Sequence, residues 1–276
     1  MRRILLCVLL AVFVGTIAIA GCTQQIAGNN TSPVATTSPV GGTGGMTGGN
    51  VSAAVNSSTV TLTSGGQSYP AYVAAPTSGG PYPGIVLLHS FNGLEPGYRS
   101  MIDRLAGEGY VVIAPEWQTF NRTPLDNVVE GLITSSIDAL QARSDVNDAQ
   151  LGLTGFCAGG RYTMLFLPQI DEFTAGVAWY GFPYGGGSTN ETLPADVLDQ
   201  LQDPMLIIHG SRDQASNITG IYQYAQALDA ADKYFELKVY QGEPHGFMIE
   251  NGALSQTDVA MDAYREMVAF FDRTLA

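Results

Sequence analysis

Five uninterrupted apolar runs, each followed by a segment of helical length, constrain this chain more than any other feature. They lie at 84–88, 110–114, 151–154, 175–179 and 205–208. Because they are apolar throughout and do not alternate, they predict strands covered on both faces. Helix-length segments stand at 98–107, 126–142, 159–167, 220–230 and 256–273, and a last strand at 235–240 precedes the final helix. Ahead of them, 59–63 and 71–74 either side of Gly65-Gly66 read as a β-hairpin. Strict alternation of strand and helix implies right-handed crossovers. The expected fold is α/β: a doubly wound, mostly parallel sheet of about eight strands with helices on both faces. Ligands bind such sheets beyond the carboxyl ends of the strands, so the informative residues should stand just after each apolar run.

The first 55 residues do not share this pattern. Residues 1–22 begin with Arg2 and Arg3, run apolar to Ala20 and close on Ile19-Ala20-Gly21-Cys22, the layout of a secretory signal. Its end resembles a lipobox, which implies cleavage before Cys22 and lipidation of that cysteine. An uncleaved single-span anchor is the other reading, at the short limit of length for crossing a bilayer. Residues 23–55 are rich in Thr, Ser, Gly and Pro and read as a flexible tether, with a reach on the order of 30 Å. Residues 56–276 remain for the folded domain. Either reading places that domain outside the cytoplasm, lipid-anchored to the outer face of the membrane or secreted. Glycosylation sequons begin at Asn29, Asn30, Asn50, Asn56, Asn121, Asn190 and Asn217.

Charge narrows the partners. Twelve Lys and Arg against 25 Asp and Glu give a net charge of −13, which repels nucleic acid and anionic headgroups. Contact with a membrane must therefore come through a lipid anchor or insertion. The three histidines, His89, His209 and His245, have no zinc-ligand spacing, so no metal is expected. The glycine-rich stretches at 41–49 and 185–187 lack a following Lys-Ser/Thr, so no nucleotide cofactor is expected either. Oligomeric state, monomer or otherwise, is left open.

A nucleophile, an acid and a base all fall at strand ends. Gly155-Phe156-Cys157-Ala158-Gly159 has the small-x-nucleophile-x-small form of a strand-to-helix elbow, whose helix N-terminus favours a thiolate. Asp213 follows the 205–208 run and His245 follows the last strand. Taken alone, Cys157 reads as a small core hydrophobe, Asp213 as a cap for a helix near Thr219 or a partner of Arg212, and His245 as a loop histidine. Together, in the order nucleophile, acid, base, they read as a triad in which Asp213 orients the imidazole of His245. His89 and His209 read as buried, hydrogen-bonded residues framing the site.

These residues, with Gly160-Arg161, Gly210-Ser211-Arg212-Asp213 and Pro244-His245-Gly246-Phe247, resemble the dienelactone hydrolase family of α/β-hydrolases over about 57–275. The resemblance implies a Cys-His-Asp triad that attacks an ester, lactone or thioester carbonyl and passes through an acyl-thiol. It implies an oxyanion held by the backbone N–H of Ala158 and Phe91. Two departures bear on substrate. Ser90 stands where dienelactone-cleaving relatives carry a glutamate, with Glu95 nearby but out of register. Ile249 stands where they carry a carboxylate-binding arginine. Arg161 is expected to pack or pair within the first turn after the elbow, and Arg122 remains as a second cation. Ser90, Trp117, Tyr180 and Phe247 are the candidate pocket residues, within an aromatic set that also includes Phe91, Phe120 and Phe182. A small neutral or apolar ester is the expected substrate.

Two other readings keep the fold. One is a surface binding module on an inactive hydrolase scaffold, suggested by the missing glutamate and arginine and opposed by the intact triad. The other is a peptidase, which the sequence disfavours for want of a lid or propeller segment.

Overall fold

The apolar runs become the middle of one eight-stranded sheet. A computed structural model describes residues 53–185 and 192–276. The signal, Cys22, nearly all of the tether and the sequons at Asn29, Asn30, Asn50 and Asn190 lie outside the described residues. In chain order the elements are β1 (Val55–Ser64), β2 (Gln67–Pro76), β3 (Tyr82–Leu88), α1 (Pro96–Gly107), β4 (Val111–Pro115), α2 (Asp126–Gln141) and β5 (Val146–Phe156). There follow α3 (Ala158–Phe166), β6 (Ala175–Trp179), β7 (Met205–Gly210), α4 (Ile218–Ala230) and β8 (Phe235–Tyr240). A short hairpin of β9 (Ile249–Glu250) and β10 (Ala253–Leu254) then leads to α5 (Asp258–Thr274).

The sheet order is β1-β2-β4-β3-β5-β6-β7-β8. The β1–β2 and β2–β4 pairs are antiparallel. From β4 to β8 every pair is parallel. β4 and β6 are buried at every residue, as expected of strands sandwiched between helical layers. Period-two alternation divides their side chains between the faces. In β3, Val86 and Leu88 join α2, α3 and α4 in one apolar core, while Ile85 and Leu87 join α1 and α5 in the other. Each helix offers a matching stripe, such as Val129, Leu132, Ile133, Ile137 and Leu140 on α2.

Differences from the sequence expectation fall at element ends. β1 and β2 extend several residues past 59–63 and 71–74, because the polar residues at the start of β1 form an exposed edge with no apolar alternation to mark it. β5 starts at Val146 because Tyr82 and Pro83 pair with residues 146 and 147 before the register shifts to Leu151. The β9–β10 hairpin was not expected. Among the described residues, no helix is long and apolar enough to cross a membrane.

Candidate functional site

Cys157 is the single residue between β5 and α3. It holds φ 58° and ψ −113°, a conformation that costs a non-glycine residue on the order of 1–3 kcal/mol and persists only where the surroundings impose it. Two glycines do the imposing. A Cβ on Gly155 would lie 2.1 Å from the carbonyl oxygen of Gly159, and one on Gly159 would lie 2.1 Å from that of Leu88. Without those methyls, α3 presses onto β5 and β3, and the chain turns sharply enough to lift the Cys157 side chain off the sheet. The thiol is free, partly exposed and not used to cap α3.

The aspartate and histidine arrive from the ends of β7 and β8. Asp213 is buried, and its Oδ1 accepts the backbone N–H of Ala215 (2.9 Å) and Ser216 (2.8 Å). It does not cap α4; Asn217 does, by accepting from Thr219 N–H. Its Oδ2 accepts from Nδ1 of His245 at 2.7 Å. Burial pushes the Asp213 carboxyl up, but the bonds from His245 and Ser216 outweigh it and hold the group below its ordinary 3.8. Among the described residues Nε2 of His245 is buried and has no hydrogen-bond partner of ordinary geometry, while Cys157 is near enough to act on the charge of the ring. Burial would lower the imidazole pKa, yet hydrogen bonding and charge from Asp213 and Cys157 together lift it to about 9. Apo contacts of this kind often tighten only when a substrate is bound.

The other two histidines are buried and hydrogen-bonded, as expected, and His209 adjoins this pair. His209 is fully buried, sits 3.5 Å from Oδ2 of Asp213 and bonds through Nε2 to the Ser216 carbonyl, with burial lowering its pKa. His89 bonds the Ser90 carbonyl through Nδ1, stacks 4.9 Å from Trp117 and is held by burial to about 4.

A cavity of about 770 Å³ opens over Cys157. Phe91 and Ala158 line it, and among the described residues no backbone carbonyl takes the N–H of either. Of the expected pocket residues, Ser90 and Tyr180 line the cavity. Trp117 and Phe247 do not. Trp117 lies between His89 and Tyr162, and Phe247 packs on Trp179, Tyr180 and Tyr240, so both belong to the core behind the wall. Phe120 is exposed against Tyr69, while Phe182 joins the lining and lies 5.6 Å from the His245 ring. Ile249 is also in the wall.

Arg161 borders the cavity but is committed elsewhere. It makes a bidentate pair with Asp126 at 2.8 and 3.0 Å and donates to the carbonyls of Gly185 and Thr192. Arg122 lies over the Phe91 ring at 4.5 Å and is not in the lining. Sequence reasoning missed Tyr98 and did not place Glu95 in the site, although both line it. Their signal was position: they stand at the start of α1, directly after the loop that carries Ser90 and Phe91.

A model of the dienelactone hydrolase family matches residues 69–275. A Methylorubrum extorquens protein provisionally named carboxymethylenebutenolidase is 31% identical over 221 residues, 73% of this chain and 76% of its own. An Escherichia coli K12 protein with the same provisional name is 31% identical over 229 residues, 76% and 84% of the two chains. Among solved structures, a provisionally identified dienelactone hydrolase of Klebsiella pneumoniae superposes with a TM-score of 0.67 at 28% identity, covering 79% of this chain and 99% of its own. Fold, matched length and relatives agree: the chain belongs to the dienelactone hydrolase family of α/β-hydrolases.

Proposed function

We propose that this protein hydrolyses small neutral or apolar esters, or thioesters, with Cys157 as nucleophile, His245 as base and Asp213 as the residue that orients it. The observation that carries the reading is the meeting of an elbow-borne thiol with the 2.7 Å His245–Asp213 pair at the floor of one cavity. In this scheme Sγ of Cys157 attacks the substrate carbonyl carbon while its proton goes to Nε2 of His245. The carbonyl oxygen becomes an oxyanion facing the N–H of Phe91 and Ala158, where each donor is worth roughly 3–4 kcal/mol of barrier. Collapse breaks the carbon–oxygen bond, and the leaving alkoxide takes the proton from Nε2. Water then attacks the acyl-thiol and gives its proton to the same nitrogen. The carbon–sulfur bond breaks, the acid leaves and the thiol is restored.

The wall supports the substrate class. Ile249 offers a carboxylated lactone no charge, and the guanidinium of Arg161 is already held by Asp126. We also propose that residues 1–22 direct export, that Cys22 carries the lipid and that 23–55 tether the enzyme outside the membrane. Fatty-acid labelling that persists in Cys22→Ala would overturn the anchor.

Intact-protein mass spectrometry of residues 23–276 with 4-nitrophenyl esters tests the mechanism. An acyl adduct on wild type that is missing from Cys157→Ala is expected, with partial turnover in Cys157→Ser. An adduct of equal yield on Cys157→Ala, or turnover of a carboxylated dienelactone above that of simple esters, would overturn it.

A further inference from the structure

Glu95 is the one charged side chain in the cavity lining without a charge or hydrogen-bond partner among the described residues. The other two charged groups there, Arg161 and His245, are held by Asp126 and Asp213. Glu95 is the N-cap residue of α1, a position where the short side chains of Asp, Asn, Ser and Thr bond the first helical N–H groups and where Glu is one methylene longer. Here the side chain makes no such bond. It lies instead near Gly252, with Oε1 at 3.6 Å from where a Cβ on that residue would be, and Gly252 is itself in the cavity wall. The chain there is tied down by the bond from Gly97 N–H to the Gly252 carbonyl, 2.8 Å. The carboxylate thus lines the substrate space on a braced segment, in a cavity whose wall also includes Phe91, Tyr98 and Phe182. A carboxylate that shares a cavity with aromatic side chains is a combination that recognises an ammonium group.

We propose that Glu95 is a specificity-determining residue, selecting esters whose acyl or alcohol part carries a cationic ammonium group. The inference rests on the hydrolase reading above, keeps its triad chemistry, and extends its substrate class from neutral esters to cationic ones. Arg122 stays out of the cavity lining, but its guanidinium already covers the Phe91 ring, so the aromatic contribution to binding an ammonium group falls to Tyr98 and Phe182.

The test compares three 4-nitrophenyl esters of matched length: 6-aminohexanoate, heptanoate and the adipate half-ester. Wild type should show a kcat/KM for the ammonium ester about fivefold above that for heptanoate, the upper end for a partly exposed ion pair, with adipate lowest. In Glu95→Gln the three values should converge, mainly through KM. The general acidity of the chain also draws cations, so Glu172→Gln, which removes one exposed charge away from the cavity, serves as control and should keep the preference. Equal rates for the three esters in wild type, or a preference that survives Glu95→Gln, would overturn the proposal while leaving ester hydrolysis standing. A uniform fall in kcat for all three in Glu95→Gln would overturn it too, by making Glu95 part of the chemistry. No turnover of any ester by wild type would instead refute the hydrolase reading.

Discussion

Replacing Asp213 by Asn probes the orienting role with little change of shape. Oδ1 of Asp213 accepts two backbone N–H groups, from Ala215 and Ser216, so an asparagine must place its carbonyl oxygen there. Its NH₂ is then forced toward Nδ1 of His245, where Oδ2 now accepts at 2.7 Å. Donor would meet donor unless the imidazole moves its proton to Nε2, the nitrogen that has to receive the thiol proton. The charge effect adds to this inversion. The lift of the imidazole from its ordinary 6.5 to about 9 corresponds to roughly 3 kcal/mol in favour of the protonated ring, shared between Asp213 and Cys157. Losing the aspartate's share and the working tautomer together should lower kcat/KM by about 10³- to 10⁴-fold, the scale seen when a triad aspartate is so replaced. The assay is kcat/KM for 4-nitrophenyl butyrate from pH 5 to 10, paired with NMR titration of His245 in a Cys157→Ala background. In Asp213→Asn/Cys157→Ala, burial is left unopposed and the His245 pKa should fall below 6.5. A kcat/KM within threefold of wild type, or a His245 pKa still near 9, would refute the reasoning.

Two further predictions concern stability. His89 is held to about 4 by burial against 6.5 when exposed, so between those values the unfolded chain binds the extra proton. Its contribution is therefore complete above about pH 6.5 and is lost as pH falls toward 4, by up to roughly 3 kcal/mol. Thermal melts should show a larger drop from pH 7 to 4.5 in wild type than in His89→Gln; equal drops would exclude His89 as the cause. Gly159→Ala places a methyl 2.1 Å from the Leu88 carbonyl oxygen, and since backbone must move to admit it, a loss of about 3 kcal/mol is expected in urea unfolding. An unchanged midpoint would mean that α3 separates from β3 more readily than the packing implies.

What the sequence disclosed follows from what periodicity can encode. Continuous apolar runs mark the interior strands because both faces of β4 and β6 are covered. The edge strand β1 hides its ends among Ser, Thr and Asn, and two-residue strands such as β9 and β10 are too short to have a period. The positions of Cys157, Asp213 and His245 were legible because parallel strands deliver their carboxyl ends to one side of the sheet. Which aromatic faces the cavity was not. A residue's place after a strand says nothing of the direction of its side chain, so Trp117 and Phe247 were expected in a wall that they back from behind. Glu95 and Tyr98 line the cavity from the N-cap and first turn of a helix, away from the strand ends.

The sheet order bears on how such an enzyme comes into being. Ser90, Cys157, Asp213 and His245 follow β3, β5, β7 and β8, strands joined, with β6 between β5 and β7, by parallel pairings closed over long stretches of chain. Such non-local pairings form slowly, because loop-closure entropy is spent before contacts return it. Cavity, elbow and acid–base pair therefore come into register only when β8 docks on β7. Recovery of esterase activity during refolding should be among the last signals to return, which makes the site a reporter of the completed sheet.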